Sequence, residues 1–225
     1  MALFGPALAI AVKDLRSEWR SREVFNAAFS FALVVLLLFS FTFDPSGEET
    51  RGMSGGLLWL VFSFAGVLVL NRSFAREKDN DCLDALVAAP ISAAAIFLGK
   101  ALANAVLLLA LELACLPVFG IFYNVGWTAQ MGWLLPVLAL GTWGIAVVGT
   151  VFSALTVNVR LRELMLPLLV FPIVVPVLMA AVQLTTTVFS GEPMAPELGW
   201  LRLMAGFDLI FTLLAMALVE VVLVG

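Results

Sequence analysis

Acidic residues inside apolar runs are the first groups in this sequence that could do chemistry. Glu112, Asp208 and Glu220 each interrupt a stretch of hydrophobic residues. A charged carboxylate within a lipid bilayer costs at least about 2.5–3.5 kcal/mol, and no Lys or Arg lies at the depth of Glu112 or Asp208. These two are therefore expected to be protonated, hydrogen-bonded within a helix bundle, or facing a polar cavity or a partner. Glu220 falls near the end of its run and is expected to reach water.

Two interpretations of Glu112 and Asp208 stay open. At a helical rise of about 1.5 Å per residue, both fall in the half of the membrane opposite the N-terminus. They either form a functional polar site or are hydrogen-bonded carboxyls that only pack. Acids at such depth are rare in membrane proteins, which keeps the functional interpretation open.

Two sets of catalytic residues are missing from the sequence. It contains no histidine, so it offers no imidazole for acid–base chemistry or for ligation of haem or zinc. A Walker A motif is absent as well, since Gly99-Lys100 precedes Ala101 and Ala94 replaces the first glycine. Any ATP hydrolysis must come from another subunit, and no constellation typical of an intramembrane enzyme stands out. Haem ligation by Met or by Tyr123 stays open, although nothing in the sequence supports it.

The composition indicates a membrane protein. Of the 225 residues, 63% are hydrophobic and 12% are charged, whereas soluble domains average about 45–50% and about 25%. A soluble fold of this size could not bury so much apolar surface, so lipid must be its solvent. The net charge is only -4 and no basic patch is present, which excludes a nucleic-acid partner.

Apolar runs long enough to cross a membrane, which takes about 20 residues, recur along the chain. The sequence predicts an all-α polytopic protein with six transmembrane helices, forming a single permease domain over residues 1–225 without a nucleotide-binding domain. The runs are residues 27–43, 55–70, 97–117, 131–157, 164–184 and 203–224.

Two of these runs contain residues with a predicted structural effect. Pro167, Pro172 and Pro176 in the fifth run predict a kink, which would be either a packing irregularity or part of a moving gate. Gly149 and Ser153 in the fourth run form a small-xxx-small pair, which permits close helix approach.

Residues 1–24 predict an amphipathic helix ahead of the first span. Leu8, Val12, Leu15 and Trp19 recur on one helical stripe, and the charged residues fall largely off it. A short helix with a charged face and a Trp on its apolar edge is typical of the membrane interface. The alternative is an ordinary solvated helix.

The distribution of basic residues predicts the orientation. Ten of the twelve Lys and Arg fall in residues 1–24, in residues 71–100 and in residues 158–163, and the other two are Arg51 and Arg202. Because positive charges stay on the cytoplasmic side, the N-terminus is predicted to be cytoplasmic. With six spans the C-terminus is cytoplasmic as well.

The cytoplasmic loop over residues 71–96 is the predicted coupling element. A short helix with Cys82, Leu83, Leu86 and Val87 as its apolar face fits this segment, with Asp79 or Asp81 as its cap. Such a helix is a natural docking surface, although a loop helix lying on the membrane without a partner is the alternative. The residues predicted to contact an ATPase are Arg76, Glu77, Asp81, Leu83, Leu86, Val87 and Pro90.

The same segment resembles the coupling region of ABC-2 (type V exporter-like) permeases. It contains Arg76-Glu77, a Leu-rich stretch from Leu83 to Val87, the turn Pro90-Ile91-Ser92, and Gly99-Lys100. Nearly the whole chain resembles the haem exporter protein B (CcmB) family of cytochrome c maturation. That resemblance is carried by residues 13–23, 36–44, 70–74, 79–83 and 162–169, with Pro172.

The resemblance implies a multi-pass permease subunit of the bacterial inner membrane. It implies four partners besides membrane lipid: an ABC ATPase (CcmA-like), a haem-handling membrane subunit (CcmC-like), a small membrane subunit (CcmD-like) and a periplasmic haem chaperone. In this interpretation ATP binds the partner ATPase, the complex handles haem, and this chain binds no cofactor of its own. The expected role is to couple ATP hydrolysis to haem delivery or to release of the loaded chaperone.

Other functions compete with this one. The chain could be a non-transporting assembly or coupling subunit that lacks a continuous pathway. It could instead be an ABC-2 permease that exports lipid, glycan or drug. Proteins that co-purify with the chain would separate these alternatives.

Overall fold

The computed structural model of the protein describes residues 3–43, 48–79, 90–125, 131–157 and 159–224. Within these ranges the chain is helical and contains no strand. The helices are α1 (Phe4–Ser21), α2 (Glu23–Thr42), α3 (Glu48–Asn71), α4 (Ala75–Asp79), α5 (Ala93–Phe122), α6 (Met131–Thr156), α7 (Arg162–Ser190) and α8 (Leu198–Val224), and a 3-10 turn (Ala195–Glu197) precedes α8.

Six of the described helices, α2, α3 and α5 to α8, are long and apolar enough to cross a membrane. The predicted all-α polytopic architecture is therefore confirmed. Several helices extend past the predicted apolar runs, because polar residues do not end a helix whose backbone stays hydrogen-bonded. Helix α7, for example, continues to Ser190. It includes the polar residue Thr187, whose hydroxyl donates to the carbonyl of Gln183 one turn earlier at 3.0 Å.

The joint between α1 and α2 is a single residue, Arg22, with a left-handed backbone at φ 52°. Glu18 reaches across this joint, and its Oε1 accepts hydrogen bonds from the backbone N–H groups of Val24 at 3.0 Å and Phe25 at 2.9 Å. A helix N-terminus leaves such N–H groups without partners of its own. Glu18 therefore caps the first membrane span from the preceding helix and fixes the direction in which α1 leaves it.

Two faces of α1 have different surroundings. Ala7, Ile10, Ala11 and Glu18 are buried against the bundle. On the neighbouring face, Leu8, Val12 and Trp19 are exposed. The helix is confirmed, and an exposed apolar stripe beside the first span supports its predicted place at the membrane interface.

Helix α6 lies at the centre of the bundle and contacts α3, α5, α7 and α8. Its Gly141 receives the indole ring of Trp59 from α3 in direct contact, so any larger residue there would push α3 away. The Trp59 indole N–H in turn donates to the Thr185 hydroxyl on α7 at 2.9 Å. One aromatic side chain thereby connects three spans.

The predicted close approach at Gly149 and Ser153 is confirmed. Gly149 lies against the side chain of Leu70, and the Ser153 hydroxyl donates to the Leu70 carbonyl at 2.8 Å. These contacts bring α6 against the last turn of α3. Helix α7 is continuous through its three prolines, and its role as a gate stays a prediction.

Candidate functional site

A cluster of charged side chains lies where α1, α4 and α5 meet, on the face of the bundle that carries the N-terminus. At its centre is Lys100, on the second turn of α5, which is only 2% exposed. Its ammonium lies 2.6 Å from Glu77 Oε1, 2.7 Å from the Ser73 carbonyl and 2.9 Å from Asp14 Oδ2. An ammonium has three hydrogens to donate, so these three acceptors satisfy it fully.

A second lysine completes the cluster. The ammonium of Lys13 lies 2.9 Å from Glu77 Oε1 and 3.0 Å from Asp14 Oδ1. Two lysines and two carboxylates balance in charge, which lowers the cost of burying them. We call Lys13, Asp14, Glu77 and Lys100 the charged quartet.

The environment keeps the Glu77 carboxyl ionised. Burial alone would raise its pKa, but the charge and hydrogen bond of Lys100 and those of Lys13 outweigh burial and hold the pKa below its usual range. Lys13 shows the converse effect. Burial would lower its pKa, and the hydrogen bonds and charges of Glu77 and Asp14 raise it overall. Both groups are therefore charged near neutral pH.

Polar contacts extend from the quartet into the bundle. The side-chain amide of Asn104, one turn beyond Lys100, donates to the Ser73 hydroxyl at 2.9 Å and to the Thr150 hydroxyl at 2.8 Å. On the other side, Lys78 donates to the Val157 carbonyl at 3.1 Å. The turn after α3, the short helix α4 and the central helix α6 are thus connected by hydrogen bonds through residues that are mostly buried.

Gly99 allows α1 to reach the quartet. A Cβ atom at this position would lie 2.6 Å from the Ala7 carbonyl oxygen and 2.8 Å from the Ile10 Cβ. Both distances are shorter than any ordinary contact, so only glycine permits this approach. The glycine thereby sets the distance at which Lys13 and Asp14 meet Lys100.

Gly99→Ala is expected to separate α1 from α5 and to lower stability by about 1–3 kcal/mol, the usual cost of overpacking. A fall in the thermal unfolding midpoint of the purified protein in detergent measures this. Gly206→Ala on α8 is the matched control, because no atom lies within 4 Å of its added Cβ. Equal midpoints for the two variants would contradict the tight contact.

The structure locates some of the residues predicted to contact an ATPase. Glu77 is buried in the quartet, so its side chain is not exposed on the surface where an ATPase contact was predicted. Pro90 is exposed, and Ser92 nearby caps α5 by accepting from the Ala95 N–H at 3.3 Å. The side chain of Arg76, and Asp81, Leu83, Leu86 and Val87, lie outside the described residues. The ATPase-coupling role of all these residues stays a prediction.

Sequence reasoning missed the quartet itself. Lys100 counted only as a positive charge that sets orientation, and Lys13 and Asp14 counted only as the polar face of α1. One signal was present, because Lys100 and Asn104 stand four residues apart at the start of an apolar run. That spacing places both on one face of a helix, which indicates a polar contact at that helix end.

Glu112 is hydrogen-bonded within the bundle, as one of the predicted alternatives required. Both of its carboxyl oxygens lie 2.7 Å from the hydroxyl of Thr142 on α6. A hydroxyl donates only one hydrogen, so the second contact is a hydrogen bond only when the carboxyl carries a proton. Glu112 is 2% exposed.

Asp208 on α8 is buried near the same level of α6. Its Oδ1 lies 2.9 Å from the position that a Cβ on Gly144 would occupy, two residues from Thr142. Neither of its oxygens has a hydrogen-bond partner among the described residues. The two acids thus approach α6 from different helices, one paired and one unpaired. Glu220 is exposed near the end of α8, and its access to water stays a prediction.

Comparison with known proteins identifies a family. A family model described as "CcmB protein" matches residues 6–222, which is nearly the whole chain. Membership of this family therefore rests on the spans and the N-terminal helix together, and not on the coupling loop alone.

Individual relatives give the same result. Heme exporter protein B of Rhodobacter capsulatus is 37% identical over 177 residues, which cover 78% of this chain and 80% of the relative. The protein of that name from Paracoccus denitrificans is 35% identical over 171 residues, covering 76% and 78%. The one from Pseudomonas aeruginosa is 28% identical over 212 residues, covering 88% of each chain. With its full set of spans matched, the chain belongs to the CcmB protein family.

Proposed function

We propose that the chain is the membrane permease subunit of an ABC-type complex for cytochrome c maturation. In this role it couples ATP hydrolysis by a partner ATPase to haem delivery, or to release of the loaded haem chaperone, at the periplasmic face. The observation that carries the proposal is membership of the CcmB family together with relatives named Heme exporter protein B. The chain acts as a single permease domain over residues 1–225, and its proposed partners are those that the resemblance implies.

The charged quartet supports the coupling part of this proposal. The segment 80–89 begins directly after α4 and leads to α5, and the Glu77–Lys100 ion pair joins the two helices that it connects. A force applied to this segment would move α4 and α5 together, and α1 would follow through Lys13 and Asp14. Rigid connections of this kind transmit a displacement that a flexible loop would absorb.

Haem handling in this proposal falls mainly to partner subunits. The chain has no histidine, and the Tyr123 hydroxyl is buried and donates to the Leu36 carbonyl at 3.0 Å. A hydroxyl held in this way is a poor candidate for a haem ligand.

A second candidate function is a coupling subunit through which haem does not pass. The specific observation in its favour is the packing at the centre of the bundle, where Trp59 fills the contact at Gly141 and Leu70 fills that at Gly149.

The proposed function can be tested by purification and complementation. A tagged chain extracted in mild detergent should retain the ATPase and the haem-handling subunit, and the complex should show a haem spectrum. Deleting the gene should abolish cytochrome c maturation, and this chain should restore it. Normal maturation in the deletion strain would contradict the proposal. Co-purification with proteins of lipid or glycan export would favour the alternative of an ABC-2 exporter.

The predicted orientation has its own test. Reporter fusions at residues 48 and 197 should report the periplasm, and fusions at residues 79 and 160 should report the cytoplasm, because ten of twelve basic residues favour a cytoplasmic N-terminus. A periplasmic signal at residue 79 would overturn both the orientation and the docking of an ATPase on that face.

The buried acids give a further prediction. Glu112→Gln and Asp208→Asn keep size and hydrogen-bonding groups but cannot ionise, and at least one is expected to lose cytochrome c maturation while the complex still assembles. Glu220→Gln is the control, since Glu220 is exposed and its change should have no effect. Wild-type maturation in both single variants and in the double variant would show that these carboxyls only pack.

A further inference from the structure

A pocket of about 270 Å³ opens beside the charged quartet, between α1, the end of α3, α4 and α5. This volume is near the lower end for small-molecule sites, which range over about 300–1,000 Å³. The pocket lies between the charged side of α1 and the ends of the spans that α1 contacts, so it adjoins the predicted headgroup region of the membrane.

One wall of the pocket holds a buried acceptor without a donor. Glu77 Oε1 accepts from both Lys13 and Lys100, but Glu77 Oε2 is buried and has no hydrogen-bond partner among the described residues. The Glu77 side chain is only 8% exposed. A buried carboxylate oxygen left without a donor is costly, and Glu77 lines the pocket. The pocket is therefore built to receive a hydrogen-bond donor.

Apolar residues line the pocket as well. Val24 belongs to the first turn of α2, Val69 to the end of α3, and Ala103 and Leu107 to the third and fourth turns of α5. A lining that combines polar and apolar side chains at the predicted membrane surface fits an amphiphile, with its headgroup at the quartet and its chains along the spans.

The charges of the lining residues select the headgroup further. Three cations, Lys13, Arg72 and Lys100, balance three anions, Asp14, Glu18 and Glu77. A balanced lining favours a zwitterion over a molecule with net charge, because a net charge would stay uncompensated. We propose that this pocket binds a phospholipid whose headgroup carries a primary ammonium, as phosphatidylethanolamine does.

In this arrangement the ammonium donates a hydrogen bond to Glu77 Oε2 and the phosphate faces the guanidinium of Arg72. Phosphatidylcholine has the same phosphate but no N–H group, so it cannot satisfy Glu77. Phosphatidylglycerol can donate a hydroxyl, but it brings a net negative charge. This lipid site goes beyond the proposed function and does not depend on it, because its test needs no transport activity.

The test measures lipid retention by the full chain, purified in mild detergent with whatever subunits accompany it. The protein is exchanged into micelles containing dioleoyl phosphatidylethanolamine, its mono-, di- and trimethylated forms, or dioleoyl phosphatidylglycerol. Bound lipid is quantified by native mass spectrometry, and the thermal midpoint is recorded with each lipid. Retention should fall with each added methyl group. The trimethylated lipid should be retained about tenfold less than phosphatidylethanolamine, because it cannot make the charge-assisted hydrogen bond to Glu77.

Three variants assign the preference to the pocket. Glu77→Gln should reduce the difference between the ethanolamine and choline lipids, because a neutral amide oxygen binds an ammonium more weakly than a carboxylate does. Arg72→Gln should weaken retention of both lipids. Arg20→Gln changes an exposed arginine of α1 outside the pocket and should behave as wild type. If Glu77→Gln fails to fold, the methylation series on the unchanged protein and the Arg72→Gln variant still test whether the pocket binds the headgroup.

Several results would contradict the proposed lipid site. Equal retention of all methylated forms would show that water, not an ammonium, satisfies Glu77. A preference of undiminished size in folded Glu77→Gln protein would place the lipid elsewhere. Displacement of the lipid by soluble phosphoethanolamine at equal concentration would show that the chains contribute nothing and that the ligand is soluble. Lipid retention lost whenever the ATPase subunit is bound would point to a lysine of that partner as the donor.

Discussion

Lys100→Met should destabilise the protein by about 3–5 kcal/mol, the range observed when one partner of a buried ion pair is removed. Met keeps the length of the lysine chain and removes its charge. Glu77 would then stay buried with only Lys13, whose side chain is 54% exposed, as a partner. The expected result is a large fall in the thermal midpoint in detergent and poor recovery of protein from the membrane.

A double variant separates lost charge balance from lost packing. Lys100→Met combined with Glu77→Met removes both buried charges, and it should recover much of the stability, because apolar replacement of a buried pair is often neutral. Lys78→Met is the control on the same short helix. It removes an exposed lysine outside the charged quartet that donates to the Val157 carbonyl, and its expected cost is about 1 kcal/mol.

The pH dependence of stability gives an independent check. The folded-state pKa of Glu77 lies below its unfolded value, so the stability that it contributes is present above the unfolded pKa and is lost as pH falls through the folded one. Wild-type protein should therefore lose more stability in acid than the double variant does. A single Lys100→Met variant as stable as wild type at neutral pH would contradict the role of the quartet.

The helical architecture was predictable because its signal is local and repeated. Each span is a run of apolar residues about as long as a membrane is thick, and such runs can be read one at a time. The residues that cap the helices were harder to predict from the sequence. Glu18 caps α2 from the preceding helix because Arg22 adopts a left-handed backbone, and no sequence pattern marks that conformation for an arginine.

The charged quartet was not predictable, because its members come from three segments that are distant in sequence. Glu77 looked like an exposed residue of a cytoplasmic loop, and only the closeness of α1 and α5 at Gly99 reveals its two lysine partners. The environment of the intramembrane acids was predictable only in part. Their burial followed from their position in apolar runs, but the pairing of Glu112 with Thr142, and the lack of a partner for Asp208 among the described residues, depend on how the helices pack.

Burial of Glu77 also changes where an ATPase would bind. With its side chain committed to the quartet, Glu77 stabilises the base of the coupling segment, and we expect the contact surface to come from the residues that follow α4. The predicted apolar face of Leu83, Leu86 and Val87 is then the part of this segment that a partner would cover. The quartet would pass the movement of that face to α5 and α1.

Leu83→Asp is accordingly expected to weaken association with the ATPase by about 2–5 kcal/mol, the cost of an unpaired charge at the centre of an interface. The sequence predicts an apolar centre within a polar rim here, which is the usual arrangement of a small interface. ATP-driven movement can reach the permease only through a contact that differs between states of the ATPase. Co-purification of the ATPase with the variant, at matched expression, measures the loss.

The matched control for this prediction is Ala195→Asp, which adds the same charge to an exposed residue in the 3-10 turn before α8. That turn lies on the face predicted to be periplasmic, so ATPase co-purification should be unchanged. The spans of the Leu83→Asp protein should fold normally, because the residue lies outside them, and an unchanged thermal midpoint checks this. Undiminished co-purification together with undiminished chaperone release would show that the ATPase docks elsewhere. The remaining candidates on the same face are residues 160–163 and the charged side of α1.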